Sequence, residues 1–156
     1  MQRALLFLIS AVLVAALAAC GGGADSGDGA YPDGAIVIQP VGNEMRYAQT
    51  EFTVDAGQEV TVVFENTATS PAMQHNVLIL NTDNDDDVDR VGIAGMTAGA
   101  TDYVPDDPAV FVSTPMSQPG QTVQVTFSAP TEPGRYRYIC TFPGHYSVMQ
   151  GVMIVT

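Results

Sequence analysis

From Gly34 onward the chain is built of eight short runs of apolar and β-branched residues, each closed by turn residues. They are 35–39 (AIVIQ), 52–54, 60–64 (VTVVF), 77–80 (VLIL), 109–113 (AVFVS), 123–127 (VQVTF), 135–140 and 152–155. None is long enough for a helix of ordinary length, and 123–127 alternates with the period of two that marks a half-buried strand. In 135–140, Tyr136, Tyr138 and Cys140 alternate with Arg135, Arg137 and Ile139. Eight such strands separated by turns such as Asp55-Ala56-Gly57 specify an all-β domain, a sandwich or Greek-key barrel. Residues 81–108 break the rhythm, being acidic, then Gly/Ala-rich, then Pro-containing. They read as one long connection with room for a short helix near 90–98.

The 156 residues suit one modest domain and a preceding segment. That segment reads as an export leader over 1–19: Arg3 is the positive end, and 4–19 form an apolar run of signal-peptide length. The run ends Leu17-Ala18-Ala19-Cys20-Gly21, which resembles the bacterial lipobox, in which the Cys becomes lipid-modified after cleavage. Cys20 is therefore the expected anchor. Residues 20–33, rich in Gly and polar, form a tether between membrane and domain, leaving 34–156 as the folded unit.

The formal charge is −12, and all five basic residues are Arg. Such a chain repels nucleic acid and anionic headgroups and attracts basic proteins. A Lys-free, Asp-rich surface also suits a high-salt habitat. The acidic run Asp83-Asn84-Asp85-Asp86-Asp87-Val88-Asp89 invites comparison with a calcium loop, but Val88 and Ala94 stand where an EF-hand needs Gly and Glu. It reads as a solvated loop.

The two cysteines, Cys20 and Cys140, sit in unrelated contexts and are not an expected disulfide pair. Cys140 begins the stretch Cys140-Thr141-Phe142-Pro143-Gly144-His145-Tyr146-Ser147-Val148-Met149. Thiolate, imidazole and thioether thus share one short loop after a strand. A copper ion cycling between Cu(I) and Cu(II) takes this mixture, with two imidazoles and a thiolate in a plane and a weak thioether on the axis. The second imidazole can come only from His75, the other histidine of the chain. Zinc disfavours the Met. A cysteine hydrolase would need an oxyanion hole and a cleft, and the Met beside the Cys/His pair argues against it.

CTFPGH…M preceded by Met73-Gln74-His75-Asn76 resembles the azurin family of cupredoxins, including the auracyanins. The likeness extends through TDYVPDD (101–107) and TVQVTF (122–127), covering 35–156. It implies a Greek-key β-sandwich with a type 1 copper site near one end, held by His75, Cys140, His145 and Met149. It further implies that Asn76 braces the two ligand loops with Thr141 as partner, and that Phe142 and Pro143 shield the Cys sulfur. Azurins carry Gly before the first ligand His and a disulfide near the N-terminus. Here Gln74 takes the first position, as a candidate weak axial carbonyl, and no cysteines exist for the second.

The resemblance implies a one-electron carrier outside the cytoplasm, not an enzyme. It would meet redox partners such as cytochromes or membrane oxidoreductases through His145 near the surface and an apolar patch of Met73, Pro143 and Gly144. The alternative is a copper chaperone or storage protein of the envelope, which would favour exposed Met-rich or paired Cys ligands. A two-copper enzyme would need further histidines, and the chain has none.

Overall fold

The computed structural model describes Tyr31–Thr156. The leader, Cys20 and nearly all of the tether lie outside these residues. Eight strands form where the short runs predict them: β1 (Ile36–Ile38), β2 (Glu51–Val54), β3 (Glu59–Glu65), β4 (Leu78–Leu80), β5 (Val110–Ser113), β6 (Thr122–Ser128), β7 (Gly134–Ile139) and β8 (Gln150–Val155). They make two sheets, a three-stranded one in the order β1-β3-β6 and a five-stranded one in the order β2-β8-β7-β4-β5. β1 runs parallel to β3 and β2 parallel to β8, while the other pairs are antiparallel.

The main core lies between the sheets. Ile38, Val60, Val62 and Phe64 pack there against Val77, Ile79, Tyr138, Cys140, Met149 and Met153. The period-two rule places Tyr138 and Cys140 on this inner face and Ile139 on the outer one. Gly151 allows this arrangement, since a Cβ there would come within 2.1 Å of the Tyr138 ring.

Among the described residues one α-helix, α1 (Asp85–Met96), covers the outer face of the five-stranded sheet. Its buried residues Val88, Val91, Gly92 and Gly95 recur at helical spacing, and Val88 and Val91 join Leu78, Leu80, Ala109 and Ile139 in a second, smaller core. β4 is therefore buried on both faces, which is why VLIL is continuously apolar.

The helix corrects two expectations. It begins five residues before the expected 90–98, and the acidic run is its first turn, not a solvated loop. Asn84 is the N-cap, its side-chain oxygen accepting from the amides of Asp86 (2.8 Å) and Asp87 (3.3 Å). Asp85, Asp86 and Asp87 then lie at the positive end of the helix dipole. Arg90 ties the helix to the following segment through both carboxylate oxygens of Asp107, at 2.9 and 3.0 Å, and also pairs with Asp87. Arg137 and Arg135 each reach Asp83 at 2.9 Å. Among the described residues no helix is long and apolar enough to cross a membrane.

Candidate metal centre

The long inter-sheet core ends in polar residues that are fully buried. His75, Asn76, Ser117 and Thr141 have no exposed surface, and His145 is 3% exposed. Their positions follow from the strands on either side. His75 lies three residues before β4 and forms an isolated antiparallel bridge with Ser117, its N–H donating at 3.1 Å and its carbonyl accepting at 2.8 Å. Asn66, directly after β3, donates to the carbonyls of Met73 (2.8 Å) and Ser117 (3.0 Å), and so fixes both sides of that bridge. One residue past Asn76, the Val77 amide donates to Thr114 Oγ1 at 3.0 Å.

Cys140 directly follows β7, and Met149 directly precedes β8. The connecting loop closes on itself. The Cys140 amide donates to the Met149 carbonyl at 3.1 Å, the His145 amide to Phe142 at 3.0 Å, and the Met149 amide to His145 at 2.9 Å. These bonds turn His145 inward. Gly144 adopts φ +87°, a conformation that favours glycine, at the tip of the turn.

Three donor atoms meet between the two segments. His75 Nδ1 lies 3.1 Å from His145 Nδ1, and Cys140 Sγ lies 3.7 and 3.5 Å from these two nitrogens. Such edges suit three donors around one ion at about 2.0–2.3 Å each. Met149 is fully buried in the same core cluster as Cys140. His75 Nε2 is buried without a hydrogen-bond partner, so the ring is not held by its far nitrogen.

Burial sets the charge state of these groups. The Cys140 thiol is pushed up to about 12 by burial, partly offset by hydrogen bonds from the Asn76 and Phe142 amides to the sulfur. Burial lowers His75 to about 4, with His145 adding to the effect, and burial lowers His145 as well. Two neutral imidazoles and a desolvated sulfur are a donor set that a soft, redox-active cation completes, because the cation replaces the thiol proton. The residues present therefore fit copper.

Asn76 and Thr141 join the two segments as a strap. The Thr141 amide donates to Asn76 Oδ1 at 2.9 Å, and Asn76 Nδ2 donates to Thr141 Oγ1 at 2.9 Å. Phe142 lies 5.0 Å from the His145 ring and meets Tyr103 edge-on at 5.2 Å. Pro143 and Gly144 are exposed beside His145, and Met73 is half-buried. His145 itself is more covered than its loop position suggests. The Gln74 side chain accepts from Gln118 Nε2 at 2.9 Å.

Ser117, Asn66, Thr114 and Tyr47 escape sequence reasoning. Asn66 reads only as a turn residue after β3, and the others carry no local signal.

The chain matches copper binding proteins of the plastocyanin/azurin family over residues 35–156. It is 39% identical to auracyanin-A of Chloroflexus aurantiacus over 99% of both chains. It is 37% identical to outer membrane protein H.8 of Neisseria meningitidis serogroup B, over 62% of this chain and 53% of that one. Among solved structures it resembles dithionite-reduced auracyanin from Roseiflexus castenholzii, with a TM-score of 0.72 and 39% identity over 78% of this chain and 96% of that one. It resembles equally auracyanin A, a "blue" copper protein of Chloroflexus aurantiacus, with a TM-score of 0.72 and 40% identity over 78% and 98% of the two chains. Copper is thus the cofactor, and the chain belongs to the plastocyanin/azurin family of copper-binding proteins.

Proposed function

We propose that this protein is a membrane-tethered one-electron carrier of the cell envelope, with a type 1 copper site formed by His75, Cys140, His145 and Met149. The observation that carries the reading is the buried triangle of two imidazole nitrogens and one sulfur with edges of 3.1–3.7 Å. Copper supplies the chemistry, gaining and losing one electron between Cu(I) and Cu(II). His75, Cys140, His145 and Met149 would hold the ion, with the Gln74 carbonyl a further candidate donor. The protein's part is to keep this set in one geometry for both oxidation states and to keep water out. Asn76 and Thr141 hold the two segments together, while the Asn76 and Phe142 amides temper the charge on sulfur.

Electrons would enter and leave beside His145, the ligand nearest the exposed Pro143-Gly144 turn. Val148, 56% exposed on the same loop, is apolar surface that a small, transient redox interface can use. Cys20 would hold the domain at the membrane. A site buried this completely favours retaining its metal over handing it on, so the carrier reading is preferred to a chaperone.

The visible spectrum of the copper-loaded protein tests the reading. The oxidised form should be intensely blue or green and bleach on reduction, and Cys140→Ser should abolish the colour. A colourless Cu(II)-loaded wild type would overturn the type 1 assignment. Fast copper transfer to an apo-acceptor with negligible electron exchange with a soluble cytochrome would instead identify a chaperone. Cys20→Ala should release a still-coloured domain from membranes.

A further inference from the structure

Tyr47 is among the largest fully buried side chains, and it lies outside every strand. It is set between β1 and β2, where Tyr47 and Pro40 form an isolated bridge and the next amide, Ala48, donates to the Gln39 carbonyl at 2.8 Å. From there its hydroxyl donates to the backbone carbonyl of Asn76 at 2.5 Å. That carbonyl belongs to the residue that follows His75 and straps Thr141. Its own strand neighbours are engaged elsewhere: Val77 bonds Thr114, and His75 bonds Ser117. The phenol is the donor that satisfies it.

The ring supports the same peptide by a second route. Tyr47 meets Phe64 edge-on at 6.1 Å, and Phe64 meets the His75 imidazole edge-on at 6.0 Å. Burial keeps the phenol protonated, and Cys140 and Tyr138 act in the same direction, so the hydroxyl remains a donor.

A neighbouring tyrosine offers an internal comparison. Tyr138 is equally buried, lies 5.3 Å from the Tyr47 ring, and donates its hydroxyl to the Gln49 carbonyl at 2.6 Å. The two bonds are alike in chemistry, although that of Tyr138 is only partly buried, and only that of Tyr47 ends on a residue joined to the donor cluster.

Resting on the copper-site reading above, we infer that Tyr47 is a positioning residue of the metal centre: its hydroxyl, through the Asn76 carbonyl, fixes both the peptide carrying His75 and the amide that straps the Cys140 loop. The bond limits how far the His75 segment can shift against the loop when the charge at the site changes.

Tyr47→Phe and Tyr138→Phe in the copper-loaded protein separate this role from plain packing. Both remove one buried hydroxyl and both should lower the unfolding temperature. Only Tyr47→Phe should change the Cu(II) hyperfine splitting in electron paramagnetic resonance, shift the reduction potential and speed copper loss to a chelator, the last by about tenfold, as expected for one lost buried hydrogen bond. Equal behaviour of the two variants in splitting, potential and copper loss would overturn the inference. Should Tyr47→Phe fail to fold, 3-fluorotyrosine placed at position 47 keeps the packing and makes the donor more acidic. The potential should then move from its wild-type value, and an unchanged potential overturns the inference equally. A wild type that lacks the type 1 spectrum would instead defeat the site reading on which the inference rests, so the two failures are distinguishable.

Discussion

The two segments that build the metal centre are held by different means. The segment carrying His75 is held from afar: Ser117 bonds its backbone on one side, Thr114 Oγ1 accepts from the Val77 amide, and the Tyr47 hydroxyl bonds the Asn76 carbonyl. The loop from Cys140 to Met149 holds itself, through bonds between residues at most nine apart. One half is fixed by the sandwich, and the other is a self-closing turn hung between β7 and β8. Asn76 links them by hydrogen bonds, through its side chain to Thr141 and through its amide to the Cys140 sulfur. The metal geometry therefore depends on a long-range scaffold on one side, a local loop on the other, and Asn76 between them.

Removing that link is the strongest way to break the comparison. Asn76→Ala deletes both bonds to Thr141 and leaves the buried Thr141 amide without its acceptor. Unfolding of the copper-free protein should become easier by about 2–4 kcal/mol, from one orphaned buried donor and one further lost bond. Copper should remain bound but leave faster, because the side-chain bonds that join the two halves are gone. Chemical denaturation and chelator kinetics on the same variant check both outcomes. A loss below 1 kcal/mol with unchanged copper retention would show that the halves are coupled by some other contact.

Acid sharpens the comparison further, because the two imidazoles differ in surroundings. Folded His75 sits at about 4 rather than 6.5, first through burial and then through His145. Its folded pKa is below its unfolded one, so between these values the unfolded chain binds more protons. Stability is therefore fully present above about pH 6.5 and falls as the pH drops, levelling near pH 4 where the folded ring also protonates. The slope is roughly 1.4 kcal/mol per pH unit for one such group, and His145, lowered by burial, acts in the same direction. Copper-free protein should thus lose several degrees of unfolding temperature between pH 6.5 and 5. Copper-loaded protein, with both imidazoles engaged, should lose far less. Parallel curves for the two forms would show that other groups dominate the acid response.

The contrast between the halves also explains which parts of the site the sequence reveals. Cys140, His145 and Met149 are visible because a self-closing loop keeps its chemistry within ten residues. His75 is visible by elimination, as the other histidine of the chain. Its supports are not, since Tyr47 and Ser117 lie 29 and 51 residues from their partners Asn76 and Asn66, and neither carries a local pattern. The strands are legible for the same reason as the loop, because alternation and turn residues are local. The start of α1 is not, because Asn84 and three aspartates have the composition of a loop and act as a cap and first turn only once Val88 and Val91 find the outer face of β4. Gln74, where azurins carry Gly, is a departure whose side chain the fold directs to Gln118.

The gentlest probe presses on the loop half from the helix side. Gly95 on α1 lies against Thr141: a Cβ there would stand 2.8 Å from Thr141 Cβ, 3.0 Å from Thr141 Cγ2 and 3.1 Å from the Tyr103 carbonyl. Thr141 is thus pressed between Asn76 on one side and the helix on the other. Gly95→Ala gains helix propensity of about 1 kcal/mol, while overpacking costs about 1–3 kcal/mol. Net stability should therefore fall only slightly, by about 0–2 kcal/mol. The displacement has few outlets. Thr141 is fully buried, and the Tyr103 carbonyl belongs to a backbone already at φ +61°, beside Asp102 at φ +53°. The tightest contact is with Thr141 Cβ, which a change of rotamer does not move, so Thr141 shifts as a whole and with it the bond to Asn76 Nδ2. A small stability change accompanied by a measurable shift in reduction potential is the expected signature of Gly95→Ala. The same stability change without any shift would mean that Thr141 yields without moving Cys140, and that the loop half is held by its own turn rather than by the strap.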